Sequence, residues 1–332
     1  MNSMTIHIRR EFWEHRSLWV APTIWVGLIT LMFAWTIFAV IPSHIGKDGI
    51  VLEPDTQTMS QLGEEDRKAV EKTIAEARER HHQPSAAEKE TFFAFSYLAS
   101  TGIVTLFTII VVFFYLIDCL YAERRDRSIL FWKSLPISDA QVVLSKLAVA
   151  LVVVPFGAIL LAGVMQLLIA LMVWLRFHGT PLWVELPEWS LLAWFKSLVV
   201  ALVVGLGGVL WCAPVAGYLL LASSWARKNV FLWAVLPPIA LAGLEGFFLH
   251  STHVLQFIGW RLFGFVKLLH LNPSALNVGT RDSREDLPHI TDVMSQLDMS
   301  GLYTNLGVWA GVAVAAVLVF VAIRLRRYRD DS

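Results

Sequence analysis

The stretch "ERRDRSILFWKSLPIS", residues 123–138, lies between two runs, 92–117 and 142–175, that are almost wholly apolar. Each flanking run is longer than the roughly 20 apolar residues a helix needs to cross the hydrocarbon core of a bilayer. The stretch is therefore a connection between two membrane spans. It holds Arg124, Arg125 and Arg127, then Ile129, Leu130, Phe131 and Trp132, then Lys133 and Pro136. A plain connecting loop has no use for that apolar cluster. How many spans surround it, and on which side it falls, decide the fold.

The chain has 332 residues, 56% of them hydrophobic and 16% charged, with a mean hydropathy of +0.59. That is too little charge for a soluble domain of this size, and lipid is where the long apolar runs belong. Six segments qualify as spans, at about 18–41, 92–117, 142–175, 191–222, 230–250 and 305–323. The third and fourth exceed one crossing, which predicts tilt or projection beyond the bilayer. A seventh candidate, "HVLQFIGWRLFGFVKLL" at 253–269, is short and carries Arg261 and Lys267. It reads as an interfacial or re-entrant helix rather than a span. The fold class is an all-α integral membrane protein with six transmembrane helices.

Lys and Arg near span ends set the orientation. Arg9, Arg10 and Arg16 precede span one, and Arg124, Arg125, Arg127 and Lys133 follow span two. Arg227 and Lys228 separate spans four and five, and Arg324, Arg326, Arg327 and Arg329 end the chain. With six spans all four clusters share one side, so both termini and the 123–138 connection are expected in the cytoplasm. A seventh crossing would put the last cluster outside. The first span runs too long for a signal-peptide core and no small-residue cleavage pattern follows it. Ser138 with Gln141, and Ser85 with Glu88, are capping-box patterns that predict helix starts before spans three and two. Pro136 pushes Leu135 out of helical geometry and breaks the connection from span three.

The domain plan is one membrane domain over 1–332, with four appended pieces. Residues 3–17 are expected to form a cytoplasmic interfacial helix with Met4, Ile8, Phe12 and Trp19 on one face. Residues 42–91 form an extracytoplasmic helical insertion, including an amphipathic stretch at 58–80. Residues 120–136 form a cytoplasmic helix, and 251–304 an external segment that touches the membrane.

Enzyme signatures are missing from the sequence. There is no phosphate-binding loop, and Gly205, Gly207 and Gly208 lie inside an apolar span with no lysine after them. They read as close-packing or hinge positions. Adjacent His81 and His82 point in different directions on a helix, which argues against a metal site. Cys119 and Cys212 fall in or beside apolar runs and read as packing residues.

The order span, basic–apolar helix, proline break, span resembles the coupling helix of ABC-2 type transporter permeases, the membrane subunits of bacterial ABC exporters. The resemblance covers the whole chain: an amphipathic N-terminal helix, six spans with both ends cytoplasmic, and an external membrane-touching segment between spans five and six. "ERR…SIL…SLPIS" is similar to the family's most recognisable local pattern, although many members have a glycine where Arg127 stands. The resemblance implies a type V exporter-like architecture in the bacterial inner membrane. It also implies a second permease, identical or related, and two copies of a cytoplasmic ATPase that binds ATP and Mg. No cofactor, no nucleic acid and no catalysis are expected of this chain itself; membrane lipid surrounds it.

The residues agree with that reading. A permease with no nucleotide site must receive work through a contact. Glu123, Arg124, Arg125, Asp126 and Arg127 can form charge-assisted bonds with a partner. Ile129, Leu130, Phe131 and Trp132 supply apolar anchors. The rival is a basic loop resting on anionic headgroups. For the translocation path, Tyr97, Thr101, Thr105 and Thr108 share one face of span two. Helix–helix hydrogen bonding explains such a seam as well as pathway lining does. Pro237 and Pro238 should kink span five, and Glu245, roughly 24 Å along it by helical rise, is an acid within a span. The alternatives are a membrane-embedded enzyme acting on lipid or peptide, with Glu245 or the histidines as acid–base groups, and a non-transporting sensor or scaffold.

Overall fold

The computed structural model describes residues 3–40, 86–127, 138–178, 191–265 and 303–328. Among them every regular element is helical. The elements are α1 (Ser3–Glu14), α2 (Ser17–Trp35), α3 (Ala86–Arg125), α4 (Asp139–Ala148), α5 (Val154–Phe177), α6 (Leu191–Trp225), α7 (Val230–Leu249), α8 (His253–Phe263) and α9 (Leu306–Tyr328). Wider π turns extend α2 over Thr36–Val40 and join α4 to α5 over Val149–Val153.

Among the described residues six helices are long and apolar enough to cross a membrane: Ser17–Ala39, Ser96–Arg125, Asp139–Phe177, Leu191–Trp225, Val230–Leu249 and Leu306–Tyr328. They match the six expected runs, and the chain is a multi-pass membrane protein. Their outward surfaces are apolar, with Leu31, Leu106, Leu171 and Phe247 all exposed. In water such a surface would be an aggregation hazard; against acyl chains it is the low-energy arrangement. The insertion at 42–91, with 58–80 inside it, lies outside the described residues except where α3 begins at Ala86. Helix α8 has 11 residues, too few to cross a bilayer.

Helix α6 is the central post, packed along α9 and α3. A Cβ on Gly217 would stand 3.2 Å from the Ala315 carbonyl oxygen, so glycine is what lets α6 and α9 approach closely. A Cβ on Gly205 would stand 2.8 Å from the Ile159 methyl, so this glycine too is a packing position. The larger core cluster joins Leu116, Leu120, Val143, Val149, Leu219 and Leu220 near the end rich in basic residues. A smaller one joins Val26, Val104, Ala158 and Met165.

The prolines are absorbed rather than breaking their spans. Pro155 is the second residue of α5, directly after the π turns. Those wider turns make room for its ring and missing N–H. Pro238 deprives the Ala234 carbonyl of its helical donor, and the Tyr218 hydroxyl donates to that oxygen at 2.9 Å. A neighbouring helix thus satisfies the acceptor that lipid would leave bare.

Candidate functional site

The basic–apolar connection begins where α3 ends, and the last turn of α3 is tied down on its inner side. Glu123 points inward. One of its oxygens meets the Lys146 ammonium at 3.0 Å and the other meets Arg326 at 2.9 Å. Lys146, at 1% side-chain exposure, also pairs with Glu11 on α1. His15 lies 3.1 Å from the same Glu11 carboxylate, and the Tyr115 hydroxyl donates to it at 3.3 Å. Arg326 reaches Asp139 at 3.6 Å. One buried cluster therefore joins α1, α3, α4 and α9 at the basic end of the bundle.

Local sequence explains each placement. Ser138 and Gln141 form the expected capping box, which fixes the start of α4 and places Asp139 and Lys146 on it two turns apart. Ile8 of α1 packs on the larger core cluster, and Glu11, one turn later, faces Lys146. Burial by itself pushes the Glu11 carboxyl up, but the hydrogen bond from His15 and the charge and hydrogen bond of Lys146 outweigh it and hold it at about 2. Glu11 is thus ionised whenever α1 is docked.

Arg124 is the second inward group. Its guanidinium donates to the Ser223 and Ala226 carbonyl oxygens at 2.6 and 2.9 Å, closing the last turn of α6 with a cation where the helix dipole favours one. The Ser223 hydroxyl oxygen in turn accepts from the backbone N–H groups of Leu120 and Tyr121, both at 3.1 Å. The end of α3 is thereby mounted on α6 as well.

Arg125, Asp126 and Arg127 face outward, and Arg125 pairs with Asp126 at 3.0 Å. Arg127 has φ = 55°, the left-handed conformation that ends many helices and favours glycine. The expectation that Glu123 to Arg127 all serve a partner divides here. Glu123 and Arg124 spend their charge inside the bundle because turning inward lets them meet buried counter-groups, and Arg125 to Arg127 remain on the surface. Ile129, Leu130, Phe131 and Trp132 lie outside the described residues.

The polar seam of α3 has its own partner. The Gln166 side-chain amide on α5 donates to the Tyr97 carbonyl, the Ser100 hydroxyl and the Thr101 hydroxyl at 2.9, 2.9 and 3.0 Å. Thr108 is buried and donates back to the Val104 carbonyl, while Thr105 is half-buried. At Tyr97 and Thr101 the seam is therefore a helix–helix contact. Pro237 and Pro238 are half-buried in a continuous α7. Glu245 caps α8: it accepts from the Ser251 hydroxyl at 2.6 Å, from His253 N at 2.8 Å and from Val254 N at 2.6 Å. An acid at a helix N-terminus satisfies donors that the helix leaves orphaned.

Glu11, Asp139, Lys146, Gln166 and Ser223 were not singled out by sequence reasoning, and Arg326 entered it only as part of the C-terminal basic cluster. Lys146 carried a usable signal, since a lysine inside the 142–175 run demands a buried counter-charge. No protein-family model matches the chain, nor does any curated protein or solved structure.

Proposed function

We propose that this chain is the permease subunit of an ATP-driven exporter of the ABC-2 type. Its basic end would lie in the cytoplasm of a bacterial cell and its spans in the inner membrane. It pairs with a second permease, identical or related, and with two copies of a cytoplasmic ATPase that carries ATP and Mg. The chain performs no chemistry of its own; it forms the translocation pathway.

The observation that supports this reading is the stiff mounting of the end of α3, where the connection begins. The end of α3 is fixed to α4 and α9 through Glu123 and to α6 through Arg124. A push on Arg125, Asp126 and Arg127 from outside the membrane is then delivered to four helices at once. A loop that only rested on headgroups would need no such anchoring. Binding and hydrolysis of nucleotide in the partner would drive alternating access by moving this mount against the rest of the bundle.

The test uses reconstituted permease and its cognate ATPase. Reversing the charge of Arg125 and Arg127 while trimming Phe131 and Trp132 to alanine should abolish ATPase co-purification and cargo movement, with permease folding unchanged. Retention of both would overturn the proposal. So would sustained ATP hydrolysis by the purified permease alone.

A further inference from the structure

The two sides of α1 face different company. Ile8, Glu11 and His15, spaced three and four residues apart, turn into the bundle. Ile8 packs on the larger core cluster, Glu11 pairs with Lys146, and the His15 ring meets the Tyr115 ring edge-on at 5.0 Å. Phe12 and Trp19 stack on each other at 6.5 Å and are half-buried. A helix that only floats in the interface would give these apolar groups to lipid. Here they go to protein, and what α1 shows to the membrane is its other side.

Two residues beyond Glu11, Trp13 lies on the far side of the helix and is 56% exposed. Arg9 stands one turn before it on the same side, and Arg16 follows it in the corner between α1 and α2. Both arginines are exposed, and among the described residues neither forms an ion pair. Arg10, the third cation, is matched by Glu14 at 3.1 Å. The span fixes the depth of this group. The Trp13 ring touches the Trp19 ring at 5.7 Å, and Trp19 belongs to the first turn of the span that starts at Ser17. Trp13 and Arg16 therefore sit where the chain passes from hydrocarbon to headgroups, the level that suits an indole. Two unmatched guanidiniums there complement a headgroup of net negative charge, whereas a zwitterionic headgroup brings its own ammonium to its phosphate.

We propose that the corner between α1 and α2 binds an anionic phospholipid, with Arg9 and Arg16 on its phosphate and Trp13 on its glycerol region, and that this lipid holds α1 docked. Arg9 belongs to α1 and Arg16 to the start of α2. A lipid that touches both favours the docked arrangement over one in which α1 has swung away. Lipid outside and the Glu11–Lys146 pair inside thus secure the same helix from opposite sides. The inference rests on the membrane spans and not on the exporter reading, and its test measures no transport.

The full-length chain is placed in nanodiscs of phosphatidylcholine, alone or mixed with phosphatidylglycerol, and hydrogen exchange is followed at the amides of 8–14. A guanidinium beside an anionic surface is worth about fivefold in binding, so phosphatidylglycerol should slow exchange in the parent by about 25-fold. Arg9→Gln or Arg16→Gln alone should leave about a fivefold effect, and the two together none. Arg227→Gln with Lys228→Gln removes the same charge from another exposed turn at the basic end and should keep the full effect. An equal loss in that control would overturn the proposal, because the lipid would then answer to overall charge. So would exchange that ignores phosphatidylglycerol in the parent. Inorganic phosphate added to phosphatidylcholine nanodiscs should change nothing; slowing by phosphate would assign the corner to a soluble anion and overturn the lipid reading. Native mass spectrometry gives an independent readout: the variant lacking both arginines should retain one phosphatidylglycerol fewer than the parent, and equal retention would count against the site. The amides of α3 report whether that variant has unfolded, and the two single variants decide the matter if it has.

Discussion

The docking of α1 can be measured through a double-mutant cycle on Glu11 and Lys146. Glu11 is held at about 2 from an ordinary value of 4.5. At about 1.4 kcal/mol for each tenfold change, that corresponds to roughly 3 kcal/mol favouring the docked, ionised state. Glu11→Gln should lose most of it. Lys146→Met should cost more, about 3–5 kcal/mol, because it leaves two carboxylates sharing a buried site without their ammonium. The double variant retains the Glu123–Arg326 pair at 2.9 Å, so its loss should fall short of the sum by roughly 2 kcal/mol, well beyond the ~0.5 kcal/mol within which independent sites add. Thermal unfolding in detergent micelles gives the global values. Tryptic cleavage at Arg9 and Arg16, both exposed, reports local release of α1. Additivity within ~0.5 kcal/mol, or unchanged cleavage in Glu11→Gln, would refute the coupling.

The same carboxylate sets a pH window. Its value is depressed in the folded chain, so its contribution is complete above 4.5 and fades as pH falls toward about 2; cleavage of α1 at Phe12 by a pepsin-type protease should accelerate as pH falls across that window, relative to an unfolded peptide of the same sequence. Arg127→Gly relieves the left-handed backbone at φ = 55° and should raise the melting temperature by the equivalent of about 1 kcal/mol; a fall would contradict the assignment of that turn. Gln166→Leu removes the donor shared by Tyr97, Ser100 and Thr101 and should cost about 1 kcal/mol in thermal unfolding, in the range of interhelical bonds in membranes. Glu245→Gln weakens the cap of α8, and amides at 253–256 should exchange hydrogen faster while those of α3 do not change.

The spans were legible because a run of apolar residues is a local property, and length alone separates α8 from the six that cross. Capping chemistry was equally local, and Ser138 and Gln141 behave as their spacing predicts. The partners of charged residues were not local. Glu123 meets Arg326 across 203 positions, and nothing in the spacing of ERRDR says that its first two residues turn inward while the next three face out. Glu245 read as an acid stranded in a span because the helix it caps begins eight residues later, beyond a turn whose direction the sequence does not specify. The threonine seam had the right face, but its partner Gln166 lies on another span.

The shared ammonium of Lys146 also constrains how this sequence can drift. Two acids on separate helices share this cation, and Glu123 alone of the two keeps an arginine, Arg326, without it, so an apolar residue at position 146 is best tolerated after position 11 or 123 has become neutral. Substitutions at these positions should therefore arrive in a fixed order, and a relative that has lost the lysine should already have lost one of the acids. The N-terminal helix and the third span, far apart in the chain, are bound to share an evolutionary history.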